Sequence, residues 1–363
     1  WNTRDVWDMT CMFQRCPNLT TLNLSSWDTS QVKSMRMMFR NCVALEKIEL
    51  LDWKTENVED FSYMFQDCVS LLALDVSHWD VSKAVTLCRM FQGCSNLKTI
   101  EVGSWNTRNA KDMSWMFHRC SHVKELDVSH WDTKNVVYMS WMFFDCSSLE
   151  FLDVAHWNTE NVESMCWMFY NCLSLKTLNV AHWNTSRVWD MHNLFMNCKH
   201  LLALNLSHWD TVGVKNMSEM FYGCTDLKIL DLSGFNTSSA KDMRSMFFGC
   251  SSLEVLDLSS WSLVIPHHME MVNIDNIFSY CSKLNQIIHS THNYNLILEL
   301  FQRSGWHLFS TQKRYSPIEL FFFVTEDDIK KGRLDGIPYS SEEGLLIRDD
   351  QDQIRKIILC VKV

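Results

Sequence analysis

Cysteine recurs at 16, 42, 68, 94, 120, 146, 172, 198, 224 and 250, one every 26 residues. A column of thiols invites two chemistries, disulfide pairing and soft-metal ligation. Thiol metal sites favour paired spacings such as C-x-x-C, and none occurs. A continuous column cannot pair without distorting alternate coils, and the total of 15 is odd. The expectation is a row of buried free thiols acting as small apolar residues, which favours a reducing compartment. His78, His130, His156, His182 and His208 also fall in register. A metal ladder built on them would need carboxylates or cysteines to close its ligand set, so surface turns are expected, with no metal and no cofactor. The acidic residues Asp75, Glu101, Asp127 and Asp153 alternate with apolar ones. They are expected to point away from the core, either closing turns or offering a second surface to a basic partner. G-x-S-x-G, G-x-x-x-x-G-K-[ST] and H-E-x-x-H do not occur, and acidic groups repeated in every coil argue against a unique acid–base pair. No catalysis is expected.

These columns require an element that repeats. Trp stands at 1, 27, 53, 79, 105, 131, 157, 183 and 209, gives way to Phe235, and returns at Trp261, always 26 residues apart. The unit reads W-[ND]-T-x-x-V-x-x-M-x-x-M-F-x-x-C-x-x-L-x-x-L-[DN]-[VL]-[SA]-x. Copying it explains 16 Trp, 21 Met and 21 Phe against 10 Gly and 4 Pro. Val6, Met9, Met12, Phe13 and Cys16 follow a 3, 3, 1, 3 spacing that predicts a short helix over positions 4 to 16, with Asn2 or Thr3 as N-cap. Leu22-x-Leu24 then alternates as a short strand does. The fold class expected is an α/β solenoid, a leucine-rich-repeat arc of about eleven 26-residue helix–strand units. One such unit cannot bury its apolar face alone, whereas stacked units share a continuous core. The Thr column, from Thr3 and Thr29 to Thr237, raises the thought of an ice or mineral lattice, but a cap position already gives each Thr a local role.

The string L-x-x-L-[DN]-[VL]-S, aromatic-[DN]-T and M-x-x-M-F-x-x-C resembles the BspA-like leucine-rich repeat, a 26-residue surface-protein repeat, over about residues 1 to 288. The resemblance implies adhesion or protein–protein contact, on bacterial surfaces or in protists and large viruses. This chain departs from it in carrying Trp where Phe is usual.

The eleventh unit is irregular, with Phe278 and Cys281 five residues late after an insert around Pro266. Three regions are expected: a solenoid over 1–288, a capping helix and linker over 289–315, and a small α+β tail over 316–363. Within the tail, 317–325 and 354–363 read as strands and 325–328 as a helix start. No run approaches the roughly 18 apolar residues of a membrane span. The pattern is already under way at Trp1, without an initiator Met, so targeting is not readable. With 33 basic against 43 acidic residues and a net charge of -10, nucleic acid is not an expected partner.

The sharpest anomaly lies at positions 11 and 14 of the unit, which point away from the apolar face and should be polar. Position 11 instead holds Trp115, Trp141 and Trp167 on consecutive coils, with Phe144 and Tyr170 beside them at position 14. Five large aromatics on adjacent turns make an apolar patch of several hundred Å², a size that marks a contact site. The functional expectation is a non-catalytic module that binds a protein partner through this patch. The alternative is a structural component of a large assembly, such as a virus particle or a protist organelle complex.

Overall fold

The computed structural model describes residues 1–261, 272–284, 286–290, 319–324, 344–348 and 354–362. The 26-residue period becomes a β-solenoid. Short strands β1 (Thr21–Asn23), β2 (Lys47–Glu49), β3 (Ala73–Asp75), β4 (Thr99–Glu101), β5 (Glu125–Leu126), β6 (Phe151–Leu152), β7 (Ala203–Asn205), β8 (Ile229–Asp231), β9 (Val255–Asp257) and β10 (Gln286–Ser290) lie on one side. Where they pair they are parallel and one period apart, as in Thr21↔Lys47 and Ala203↔Ile229, except that β9 and β10 pair 31 residues apart across the insert, as in Val255↔Gln286. A second line of contact consists of ten parallel bridges running from Asp8 through Ser34 and Asp60 to Asn273.

The helices expected at positions 4 to 16 are not formed; among the described residues there is no helix, so the α/β helix–strand unit is corrected to an all-β coil. The second coil shows what replaces it. The N–H groups of Met35, Met37, Phe39 and Asn41 donate across to the carbonyls of Asp60, Ser62, Met64 and Gln66 in the next coil, at 2.7–2.9 Å. Those of Met38, Arg40 and Cys42 close turns onto Met35, Met37 and Phe39 at 3.1–3.2 Å. Arg36 N–H bonds the Ser34 hydroxyl. Every amide from 35 to 42 is thereby used, alternately within and between coils, which meets the demand that buried backbone groups be paired. A helix would spend those donors inside its own coil. It would also need about 8–10 Å to its neighbour, where strands stack at about 4.8 Å. Tandem turns match the strand spacing. They require a left-handed residue at positions 11 and 15, and every described coil has one at each, from Cys11 (φ 60) and Arg15 (φ 59) to Asn276 (φ 57) and Tyr280 (φ 63).

The inward set is the one the spacing selects. Met35, Phe39, Cys42 and Leu45 and their equivalents in later coils are buried, Phe13, Cys16 and Leu19 of the first coil are partly so, and the Phe39-type rings stack coil on coil at 5.3–5.9 Å. Each Trp fills the corner after the strand. Trp53, Trp105 and Trp131 donate Nε1–H to the carbonyls of Leu24, Val76 and Val102 at 2.9–3.0 Å, one coil back. At Trp79 the equivalent acceptor, the Leu50 carbonyl, lies 3.1 Å from His78 Nε2, and the buried Trp79 Nε1 has no partner. The cysteine column behaves the same way: Cys68 and Cys94 direct Sγ at the Phe39 and Phe65 carbonyls, both at 3.1 Å. These thiols are free, and burial pushes them well above the usual thiol range. The Thr column is buried as well: Thr29 Oγ1 donates to the Lys54 carbonyl at 3.0 Å, so it offers no surface to a lattice.

Past the insert, β11 (Glu319–Val324) pairs parallel with β10 and antiparallel with β13 (Ile354–Lys362), which also holds β12 (Gly344–Arg348). These strands extend the sheet begun by β9 and β10. The closing helix expected over 293–304 and the helix start at 325–328 lie outside the described residues. Among the described residues no helix is long and apolar enough to cross a membrane.

Candidate interaction site

The turn ladder places positions 11 and 14 side by side on the outside of the coil. Because consecutive coils are in register, their side chains stack along the solenoid. Trp115 and Trp141 lie 4.3 Å apart at 5°, and Trp141 and Trp167 lie 4.7 Å apart at 11°. In the adjoining file His118 covers Phe144 at 4.6 Å, and Phe144 covers Tyr170 at 4.4 Å. All five expected aromatics are therefore brought together, each half-buried by its neighbours. The ladder ends on polar groups. The Arg89 guanidinium lies 4.4 Å over Trp115 and 5.5 Å from Tyr63, and Trp167 meets His192 edge-on. Arg89 and His118 belong to the site, and sequence reading missed both. Their register, position 11 of the coil before the patch for Arg89 and position 14 of the Trp115 coil itself for His118, is the signal that would have found them. Stacking uses up the ring faces, so the ladder presents ring edges outward, the electropositive rim of the aromatic quadrupole.

The indoles occupy a costly backbone. Trp115, Trp141 and Trp167 have φ of 61°, 64° and 60°, a region bulky side chains rarely enter. Other coils put Asn193 or Ser245 at this position.

His118 is buried, and burial together with Arg119 and Arg89 pushes it down to about 4. The ring is thus held neutral, while in the unfolded chain it would protonate near 6.5. A depressed folded-state value contributes stability above about pH 6.5 that is lost as pH falls toward 4. His118→Phe should flatten that part of the pH profile of the urea midpoint, and identical slopes for the two proteins would refute the assignment.

The acidic column does lie on the strand side. Asp75, Glu101 and Asp127 are exposed and Asp153 partly so. Three of the four close turns: the amides of Ser77, Ser129 and Ala155 donate to Asp75, Asp127 and Asp153 at 3.0–3.1 Å. The Ser77 and Ser129 hydroxyls and amides hold the Asp75 and Asp127 carboxyls below the ordinary range. The groove beside Glu101 and Asp127 also contains Lys98 and Lys124, so its charge is mixed. The expected His column, from His78 to His208, is exposed.

A second cluster, unforeseen in sequence, borders the ladder. His192 Nδ1 lies 2.7 Å from Asp190 Oδ1, its Nε2 lies 2.6 Å from Trp167 Nε1, and Cys166 adjoins both His192 and Asp190.

Fold and site define a β-solenoid repeat protein with an aromatic outer ladder. Three overlapping stretches, 1–100, 85–201 and 168–291, match the family described as "Mycoplasma protein of unknown function, DUF285", and the chain belongs to that family. The family shown is this one, and the BspA-like name suggested by the repeat is not what matches. No curated protein matches. Among solved structures, the chain is similar to TLR13 in its complex with ssRNA13, at 14% identity over 82% of this chain and 51% of that one, with a TM-score of 0.24. The chain thus spans about half of that structure's length, and a superposition so loose carries over neither ligand nor mechanism.

Proposed function

We propose that the protein is a non-catalytic interaction module whose aromatic ladder, Trp115, Trp141 and Trp167 with Phe144 and Tyr170, docks a protein partner. The observation that carries this reading is the placement of three consecutive indoles in left-handed positions on the exterior. Such backbone costs on the order of 1–3 kcal/mol per residue and persists where surroundings or function require it. Asn193, Ser245 and Asn276 serve the same turn, as do Cys11, Met37, Tyr63, Arg89 and Glu219, and only here do three indoles follow one another. Half-buried Trp and Tyr are also the residue types that dominate binding energy at interfaces. Outward ring edges suit the carbonyl and aliphatic groups of a protein. A single-stranded nucleic acid would need free ring faces to stack on, and the net charge of -10 opposes phosphate. Adhesion at a cell surface, as in BspA-like repeats, and anchoring within a larger assembly are two settings this face would serve.

The test is affinity capture from the native source with the wild type and with Trp115→Ser/Trp141→Ser/Trp167→Ser. Serine already occupies this position at Ser245, with φ 52°, so the coil should survive the change. A partner recovered by the wild type and lost by the folded variant supports the ladder. The same proteins captured by both would shift the proposal to the strand face.

A further inference from the structure

We propose that Cys166, Asp190 and His192 form a binding site for one divalent transition-metal ion of the zinc class. The three residues come from two adjacent coils joined by the Ser164↔Asp190 bridge. Cys166 and His192 share position 10 of their coils, one period apart, and Asp190 stands two residues before His192. One potential ligand atom from each lies within 4.8 Å of the other two. Asp190 is almost fully buried, and Cys166 and His192 are half-buried, so the ligands are held by packing with a side open to solvent.

The repeat supplies an internal comparison. Three coils earlier, Cys88 and Asp112 occupy the same two positions, and Ser114 stands where His192 does. Cys88 Sγ is 3.3 Å from Ser114 Oγ, and Ser114 Oγ is 2.6 Å from Asp112 Oδ1. That trio shows the backbone brings these side chains into contact whatever they are, and it shows the ordinary use of the position, a hydroxyl closing a turn. In the Cys166 cluster the hydroxyl is replaced by an imidazole. Thiolate, imidazole and carboxylate together are a borderline-soft donor set that suits Zn²⁺ or Co²⁺, leaving a fourth position for water.

The hydrogen-bond pattern fixes the chemistry of binding. Indole Nε1–H can only donate, so His192 Nε2 accepts from Trp167 and Nδ1 carries the proton given to Asp190. A metal replaces that proton. The Nδ1–carboxylate separation must then open from 2.7 Å to about 3.3 Å, as two ligands of one tetrahedral ion require. The imidazole proton moves to Nε2, the Trp167 donor is released, and Cys166 gives its proton to solvent. One proton leaves per ion bound, so affinity rises with pH, and binding alters the end of the aromatic ladder.

The experiment is a titration of the full chain with CoCl₂, read by thiolate-to-cobalt charge-transfer absorption, and with ZnCl₂ by calorimetry. The expected result is one ion per chain. Cys166→Ser and His192→Ser should each weaken binding by more than about a hundredfold, beyond the roughly 10–100-fold that loss of an outer-shell partner alone costs. His192→Ser recreates the trio that the Cys88 coil already folds with, so unchanged circular dichroism is expected. Cys88→Ser, a half-buried thiol at the same position, should leave stoichiometry and affinity unchanged. No cobalt–thiolate band, a band that survives His192→Ser, or one removed by Cys88→Ser would overturn the site.

Discussion

Trp131→Ala should lower the unfolding free energy by about 4 kcal/mol, within the range for buried Trp truncations. The indole is 3% exposed and stacks between Trp105 at 6.1 Å and Trp157 at 6.3 Å, with Phe117 alongside at 6.2 Å. Collapse into the void is resisted because neighbouring coils are pinned by parallel strand pairs and by bridges on the opposite side. The lost Nε1–H bond to the Val102 carbonyl adds about 1 kcal/mol rather than more, since that carbonyl still accepts Trp105 N–H. Trp131→Phe is the control. Phe235 fills this position in another coil at 1% exposure, so Phe should cost less than half as much as Ala. Because each coil contacts only its neighbours, the damage should appear as loss of coupling between the two ends of the solenoid. Urea unfolding followed by Trp fluorescence measures it. A loss under about 1 kcal/mol for Ala would mean that the Trp column packs far more loosely than its stacking indicates.

Much of this was legible in the sequence, for a definite reason. A period without insertions fixes which residues become neighbours. Thus the buried set, the outward aromatics Trp115, Trp141 and Trp167, and the free thiols follow from register, whatever conformation links them. The helix was misread because its evidence does not discriminate. A 3, 3, 1, 3 spacing puts Met9, Met12, Phe13 and Cys16 on one side of a helix, and tandem turns put them there as well. The discriminating signal sat in a column the spacing ignored. Position 15 holds Asn41, Asp67, Gly93, Asp145, Asn171, Asn197, Gly223 and Gly249, residue types that tolerate positive φ, with Arg15, Arg119 and Tyr280 in the remaining described coils, and all of them adopt it. Position 11 gave no such warning: Met37, Tyr63, Arg89 and the three Trp have no preference for the conformation they hold. There the inter-coil hydrogen bonds override local propensity. The Cys166–His192 pairing was readable in principle, being one period apart. It becomes a cluster only once position 10 is known to contact its equivalent in the next coil.

Gly249→Ala separates the two conformations by the sign of its effect. Inside a helix, exchanging glycine for alanine stabilises by about 1 kcal/mol, because alanine loses less backbone freedom. In the turn ladder Gly249 has φ +73°, and an L-residue there is penalised by roughly 1–2 kcal/mol. The added methyl would meet the Gly223 Cα of the preceding coil at 3.7 Å and its N at 3.8 Å, ordinary contacts, so sterics do not obscure the backbone effect. The amide must stay in place, since Gly249 N–H donates to the Ser279 carbonyl at 2.8 Å, and alanine keeps it. The expected outcome is therefore a loss of stability where a helix would show a gain, a swing of about 2–3 kcal/mol. Gly249→Asn should recover most of the loss, because Asn171 and Asn197 already hold φ of 56° and 60° at this position. Were Gly249→Ala to raise the urea midpoint and Gly249→Asn to lower it, the left-handed column would be wrong. The ladder of alternating bonds that depends on it would then fall as well.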